Sequence, residues 1–258
     1  MKSKISSQFV SFCVIAWLLI FSCTKNKIGD GNERFYIEKV VNLDNSLDYT
    51  YYQYDDKWRI STITDKNTIR TFKYFADKDD LDDVDSISET AYSIYNSTLS
   101  RAMYYLNSNK LAVNAIVGDV GNNGSVSSIK KTHYYEYDSE GYMLNDSTPG
   151  AVKKCIIVDG NIKSENLYYD FNTIFGRREY TDRDDLTENI FPWLGKKSIK
   201  IRTEYLNSSM ASGNGDGYSH EYIYNSYGLV EKRIDTPVGY GNYGGGSQYQ
   251  YYYKVRSK

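Results

Sequence analysis

The chain has 258 residues, with 31 Lys and Arg against 33 Asp and Glu, and a net charge of −2. A near-neutral chain without a basic patch argues against nucleic acid as a partner. Its anomaly is 28 tyrosines against 9 Phe, 3 Trp and 3 Pro, a balance that suits pleated, half-buried sheet, where the ring packs and the hydroxyl stays wet.

Residues 1–22 read as a leader. Lys2 and Lys4 precede an apolar run from Phe9 to Phe21 broken only by Ser11. The run is too short to span a bilayer, which takes roughly 20 residues, and it fits an export signal. Leu18-Leu19-Ile20-Phe21-Ser22-Cys23 resembles the lipobox of bacterial lipoproteins. The resemblance implies cleavage before Cys23, acylation of that cysteine and attachment to the outer membrane, facing the periplasm or the surface. An ordinary secretory signal is the alternative. Cys13 then leaves with the leader and Cys155 stands alone, so no internal disulfide is expected. Cys155 lies in an apolar β-like run and reads as a small buried hydrophobe. Residues 23–34 read as anchor and tether, and 35–258 as a single antiparallel β domain.

Further along, one unit recurs: an aromatic, polar turn residues, a turn-closing fifth residue, then an aliphatic two places on. Tyr137-Asp138-Ser139-Glu140-Gly141-Tyr142-Met143 and Tyr224-Asn225-Ser226-Tyr227-Gly228-Leu229-Val230 fit it. Tyr105 to Leu111 fits with Asn109 fifth, Tyr54 to Ile60 fits except for Trp58, and Phe75 to Leu81 is a weak copy. The fifth place needs a left-handed residue, which Gly supplies freely and Asn or Asp tolerably. Trp58 breaks that rule, so its loop is expected to differ in shape or length. The flanks alternate as strands do, with Leu111, Val113, Ala115 and Val117 on one face. Val158-Asp159-Gly160-Asn161 predicts a two-residue hairpin. Asp184 to Phe191 predicts a short helix capped by Asp184 and ended by Pro192-Trp193-Leu194-Gly195. Together these predict an all-β antiparallel meander, forming a curved sheet, half-barrel or open barrel, with one short helical insertion.

Little in the sequence carries catalytic chemistry. The acidic run Asp77 to Asp85 fails the spacing of a calcium-binding EF-hand loop and reads as a solvated turn, with a looser calcium site as the alternative. His133 and His220 are too few for a zinc cluster and lack HExxH spacing. No G-x-S-x-G elbow is present. No catalytic residue, metal site or cofactor is assigned. Aromatic residues in loops are the remaining hint: Phe191, Trp193, Tyr240 and Tyr243 are candidate ligand contacts, weighed against a role in capping the ends of the sheet.

The repeated unit resembles the tyrosine–aspartate repeat of RHS-type proteins, through Tyr54-Asp55 with Arg59-Ile60 and Tyr137-Asp138 with Gly141. The chain is also similar to a family of unknown-function lipoproteins of gut anaerobes with a porin-like fold. The lipobox, the scattered hairpins, Leu194-Gly195-Lys196-Lys197-Ser198 and the tyrosine-rich Tyr249 to Tyr253 carry that likeness. It implies a half-barrel or strongly curved sheet and no assigned activity. It also implies O-glycosylation at Ser86 and Ser147, in Asp85-Ser86-Ile87 and Asp146-Ser147-Thr148, with ordinary turns as the alternative. The functions left open are a non-catalytic envelope binding module meeting a glycan or protein partner, a periplasm-facing carrier of an apolar ligand or lipidated client, and an envelope glycan hydrolase.

Overall fold

A computed structural model describes residues 33–76, 84–95, 97–120, 125–169, 172–209, 215–239 and 246–257. These hold sixteen strands. They are β1 (Glu33–Asn42), β2 (Tyr49–Tyr54), β3 (Ile60–Asp65), β4 (Thr68–Ala76), β5 (Val84–Ser93), β6 (Leu99–Leu106), β7 (Ala112–Val120) and β8 (Val126–Tyr137). Then come β9 (Met143–Thr148), β10 (Ala151–Val158), β11 (Asn161–Tyr169), β12 (Asn172–Asp184), β13 (Lys200–Ser209), β14 (Gly215–Tyr224), β15 (Val230–Gly239) and β16 (Ser247–Ser257). Every strand pairs antiparallel with its chain neighbours, and β1 also pairs with β16, from Glu33 opposite Ser257 to Asn42 opposite Tyr249. The expected meander is therefore present, and the pairing of its first and last strands closes the ladder into a ring. Every described strand is thereby paired on both sides over at least part of its length.

The repeated unit builds one turn four times. Its first and seventh residues pair: Tyr54 with Ile60, Leu106 with Ala112, Tyr137 with Met143 and Tyr224 with Val230, each beside a one-residue register shift. In each turn the Asp or Asn side chain accepts from two backbone N–H groups. Asp138 takes Glu140 and Tyr142 at 3.0 and 2.8 Å, and Asp55 takes Lys57 and Arg59 at 3.0 and 2.8 Å. Asn107 and Asn225 do the same. The residue three places after it is left-handed: Trp58 (φ 61°), Lys110 (φ 62°), Gly141 (φ 91°) and Gly228 (φ 76°).

Two expectations are corrected here. The Trp58 loop has the same shape and length as the others, because the side-chain oxygen of Asp55 fixes the turn and the backbone carries tryptophan into the left-handed region. The third copy is framed one residue later than expected, since Asn107 is the capping residue, so Lys110 rather than Asn109 is left-handed. The bulge that follows also turns Val113 outward at 39 % exposure while Ala112 is fully buried. The Asp159-Gly160 hairpin forms as expected, with both residues at positive φ, as a type I′ turn requires.

The inner face holds Ile60, Ile63, Phe72, Ile87, Ala112 and Trp193, surrounded by Tyr52, Tyr54, Tyr74, Tyr104 and Tyr135. Strands that run towards the repeated turns place Tyr52, Tyr54, Tyr104 and Tyr135 on this face and Tyr51, Tyr105 and Tyr134 outside. Several hydroxyls donate to backbone carbonyls: Tyr54 to Ile37 at 2.7 Å, Tyr74 to Ile60 at 2.8 Å and Tyr253 to Val230 at 2.7 Å. Cys155 is buried, as expected of a small hydrophobe. On the opposite face of the same strands, Lys73, Glu136, Lys154 and Glu221 are exposed. Alternation thus puts one set of tyrosines inside and leaves charge outside, mixed with apolar side chains such as Ile156 and Ile223.

Candidate functional site: a stoppered barrel end

All four repeated turns, the start of β1 and the end of β16 lie at one end of the ring. The β12–β13 connection, residues 185–199, lies across that end. The helix expected from Asp184 does not form; the helical turn is a 3-10 turn, Pro192–Leu194. Asp185 instead accepts from the backbone and hydroxyl of Thr187, and Thr187 bridges Phe35 in parallel while Glu188 N–H donates to the Phe35 carbonyl at 2.8 Å. Pairing with β1 overrides the local helix signal. Pro192, expected to end a helix, starts the turn, where its missing N–H costs nothing.

The connection acts as a plug. Trp193 is 3 % exposed, with its ring 5.9 Å from Phe72, 6.0 Å from Tyr74, 6.1 Å from Tyr104 and 5.5 Å from Phe191. Gly195 sits at φ 93°, ψ −177°, a region open essentially to glycine alone. A Cβ there would lie 2.8 Å from the Gly141 carbonyl oxygen and 2.9 Å from the Tyr137 ring. Lys196 N–H donates to that same carbonyl at 2.8 Å, and the Tyr137 hydroxyl donates to the Trp193 carbonyl at 3.3 Å. Residues 133–144, HYYEYDSEGYML, are therefore both a hairpin and a dock for the plug. Lys197 ties the plug to itself through Asp185 at 3.0 Å and the Thr187 hydroxyl and carbonyl.

Between the plug and the wall formed by β1 to β6 lies a cavity of about 530 Å³, within the range of small-molecule sites. Its deep wall includes Ile60 and Ile87, each 2 % exposed, together with Trp193. Its rim comes from two repeated turns, with Lys57, Trp58 and Arg59 on one and Asn109 and Lys110 on the other. Trp58 packs against Tyr36 at 5.0 Å and Tyr54 at 6.4 Å, with the Arg256 guanidinium 5.7 Å from its ring. Arg59 pairs with Asp55 at 2.7 Å and lies 4.2 Å over Tyr74. Burial holds the Tyr54 and Tyr74 phenols above their ordinary value, so both are neutral donors. The indole N–H of Trp193 is buried with no hydrogen-bond partner among the described residues.

The sequence-predicted contacts do not form one site. Phe191 and Trp193 come together, but as packing inside the plug: the expectation of an exposed Trp193 ring is overturned because Phe72, Tyr74 and Tyr104 enclose it. Tyr240 and Tyr243 lie outside the described residues; the strand ends that flank them, Gly239 and Ser247, are at the opposite end of the ring. Cys23 also lies outside the described residues, as do residues 77–83 of the acidic run. Ser86 and Ser147 sit within strands, paired with Phe75 and Tyr134, rather than in turns. Sequence reasoning passed over Arg34, Tyr36, Lys57 and Lys110. Trp58 was the available signal, as the bulkiest residue placed where the turn favours glycine.

His133 and His220 each pair through Nδ1 with an aspartate, Asp146 and Asp235, at 2.7 Å. His220 and Asp235 are both buried, and Arg233 donates to Asp235 at 2.9 Å and to the Tyr251 hydroxyl at 3.0 Å. Among the described residues no group of three or more His, Cys, Asp and Glu side chains is placed to hold a metal ion.

Fold and site define a ring of antiparallel strands stoppered at the end where its termini meet. No family model matches the sequence, and no curated protein does. In structure the chain is similar to a porin-like protein from Bacteroides uniformis, with a TM-score of 0.53 and 11 % identity, over 84 % of this chain and 96 % of that one. The likeness is one of fold, and it supports the porin-like architecture that the family resemblance implied.

Proposed function

We propose that the protein is a non-catalytic binding module of the bacterial cell envelope, lipid-anchored at Cys23, which holds a small ligand in the cavity at its stoppered end. The observation that carries this reading is the cavity itself, an aromatic-walled space of about 530 Å³ between plug and barrel wall. A surface site for glycan or protein built on Phe191 and Trp193 has less support, because Trp193 is enclosed. The outer face mixes charge with apolar side chains such as Ile156, Ile223 and Val255, and its charged residues favour a barrel held beside a membrane over one that spans it. Lys73, Lys154 and Glu221 fall within strands, and a lysine facing lipid at mid-bilayer costs about 2–4 kcal/mol.

The anchor and the cavity belong to the same end. Nine residues, 24 to 32, separate Cys23 from Glu33, the first residue of β1. Fully extended they reach about 30 Å, so an acylated Cys23 keeps the cavity end close to the bilayer. Native mass spectrometry of protein purified from membranes without denaturation tests the reading. A small-molecule adduct that disappears in an Ile87→Trp variant, which fills the deep wall, supports it. Adduct-free protein that also fails to bind any member of a small-molecule panel counts against it.

A further inference from the structure

Resting on that reading of the cavity, we propose that its ligand is an amphipathic organic anion: an apolar chain ending in a carboxylate, with the chain against the deep wall and the carboxylate at the rim. Two features carry this. Arg34, Lys57, Arg59 and Lys110 line the cavity, against Glu188; Arg34 pairs with Glu188 at 3.8 Å and Arg59 with Asp55 at 2.7 Å, so the formal excess of positive charge is that of the two lysines. In a chain of net charge −2 this is a local reversal, and two of the four cations, Lys57 and Lys110, stand on the tips of the rim turns. The deep wall, by contrast, is aliphatic and aromatic. Ile60 and Ile87 are almost fully buried, and the nearby Tyr54 and Tyr74 hydroxyls are already committed to the carbonyls of Ile37 and Ile60. Such a wall suits an alkyl chain and lacks the paired acceptors that a neutral sugar's hydroxyls require. The cavity also lies at the end that the tether leaves, facing the bilayer from which an amphiphile would arrive.

The protein carries its own probe. The three tryptophans are Trp17, Trp58 and Trp193; once residues 1–22 are removed, only Trp58 and Trp193 remain, and both line the cavity. The delipidated chain without residues 1–22 is titrated with dodecanoate, dodecanol and oligogalacturonate, each below its aggregation limit, and tryptophan emission is read. Dodecanoate is expected to give a saturable change and dodecanol to bind about tenfold more weakly, the loss of one charge-assisted contact. Lys57→Gln with Lys110→Gln, both at the solvent-facing rim, is expected to weaken dodecanoate about tenfold and leave dodecanol unchanged. Equal affinity for dodecanol and dodecanoate overturns the anionic ligand while leaving the cavity reading intact. Tighter binding of oligogalacturonate replaces the amphiphile with an acidic glycan. If no ligand moves the emission and native mass spectrometry shows no adduct, the proposal and the cavity reading fall together.

Discussion

Trp58 takes a backbone conformation at φ 61° that disfavours any side chain with a Cβ by about 1–2 kcal/mol. Its ring contacts with Tyr36, Tyr54 and Arg256 offset that cost. Two variants separate the terms. Trp58→Ala loses the ring and keeps the strain, whereas Trp58→Gly loses both. Both are expected to be less stable than the parent, and Gly more stable than Ala by about 1 kcal/mol, read from urea midpoints. Ala matching or exceeding Gly would mean that this turn is not left-handed. A second residue-scale case is Asp235. Burial pushes its carboxyl upward, but the hydrogen bond from His220 and the Arg233 guanidinium outweigh burial and hold it below the ordinary carboxylate value. A lowered folded pKa means stability that is present above the unfolded value near 3.8 and lost as pH falls through the folded one. Asp235→Asn is therefore expected to lower stability near neutral pH by about 3–5 kcal/mol, because Arg233 keeps a buried charge. It is also expected to flatten the fall in melting temperature below about pH 4. An unchanged acid limb would remove Asp235 as its source.

Among the elements, the plug is where sequence and fold part company. The repeated turns are legible in the chain because their determinants are local: an Asp or Asn that caps its own backbone, and a left-handed residue three places on. Even there, the frame of the Asn107 turn is set by the capping residue rather than by the preceding aromatic, which is why a pattern keyed on Tyr105 slips by one. The plug has no local determinant of that kind. Its Asp-Asp-Leu-Thr-Glu start carries a helix signal, and what defeats it is pairing with Phe35, some 150 residues away in the chain. Gly195 shows the same dependence, since its need for glycine comes from the Tyr137 ring and the Gly141 carbonyl against which it closes. Gly195→Ala is expected to cost about 1–3 kcal/mol through backbone strain, with the close approach adding to it. It should also free the plug before the barrel melts. Trp193 emission would then shift to the red in a separate transition at lower urea than the loss of strand signal by circular dichroism. A single coincident transition, displaced or not, would show that plug and barrel form one cooperative unit.

At the scale of the whole molecule, alternation along the strands was readable, while closure was not. Nothing near Glu33 or Ser257 announces that β1 and β16 are partners, because a register between the first and last strands is a property of the ring. What closure does is turn one face of every strand into an interior. That interior is filled largely by tyrosine. Burial, as the leading cause, holds nine of these phenols above the ordinary tyrosine value: Tyr52, Tyr54, Tyr74, Tyr104, Tyr135, Tyr137, Tyr222, Tyr251 and Tyr253. The sign follows from linkage. A group whose folded pKa is raised keeps its proton in the barrel after the unfolded chain has lost it, so its contribution is fully present below the unfolded value and is lost as pH rises beyond it. Each proton so retained gives a slope of about 1.4 kcal/mol per pH unit, and nine acting together make that slope steep. The barrel is expected to hold its stability up to about pH 10 and then to unfold within a narrow alkaline window. Phenolate absorbance from the interior should rise in step with the loss of near-ultraviolet circular dichroism, and a rise through the full tyrosine complement while the dichroism stayed native would mean that the interior is open to water. A parallel titration of Tyr104→Phe, which removes one raised phenol and its hydrogen bond to Glu89 at 2.8 Å, should reduce the slope by about one proton.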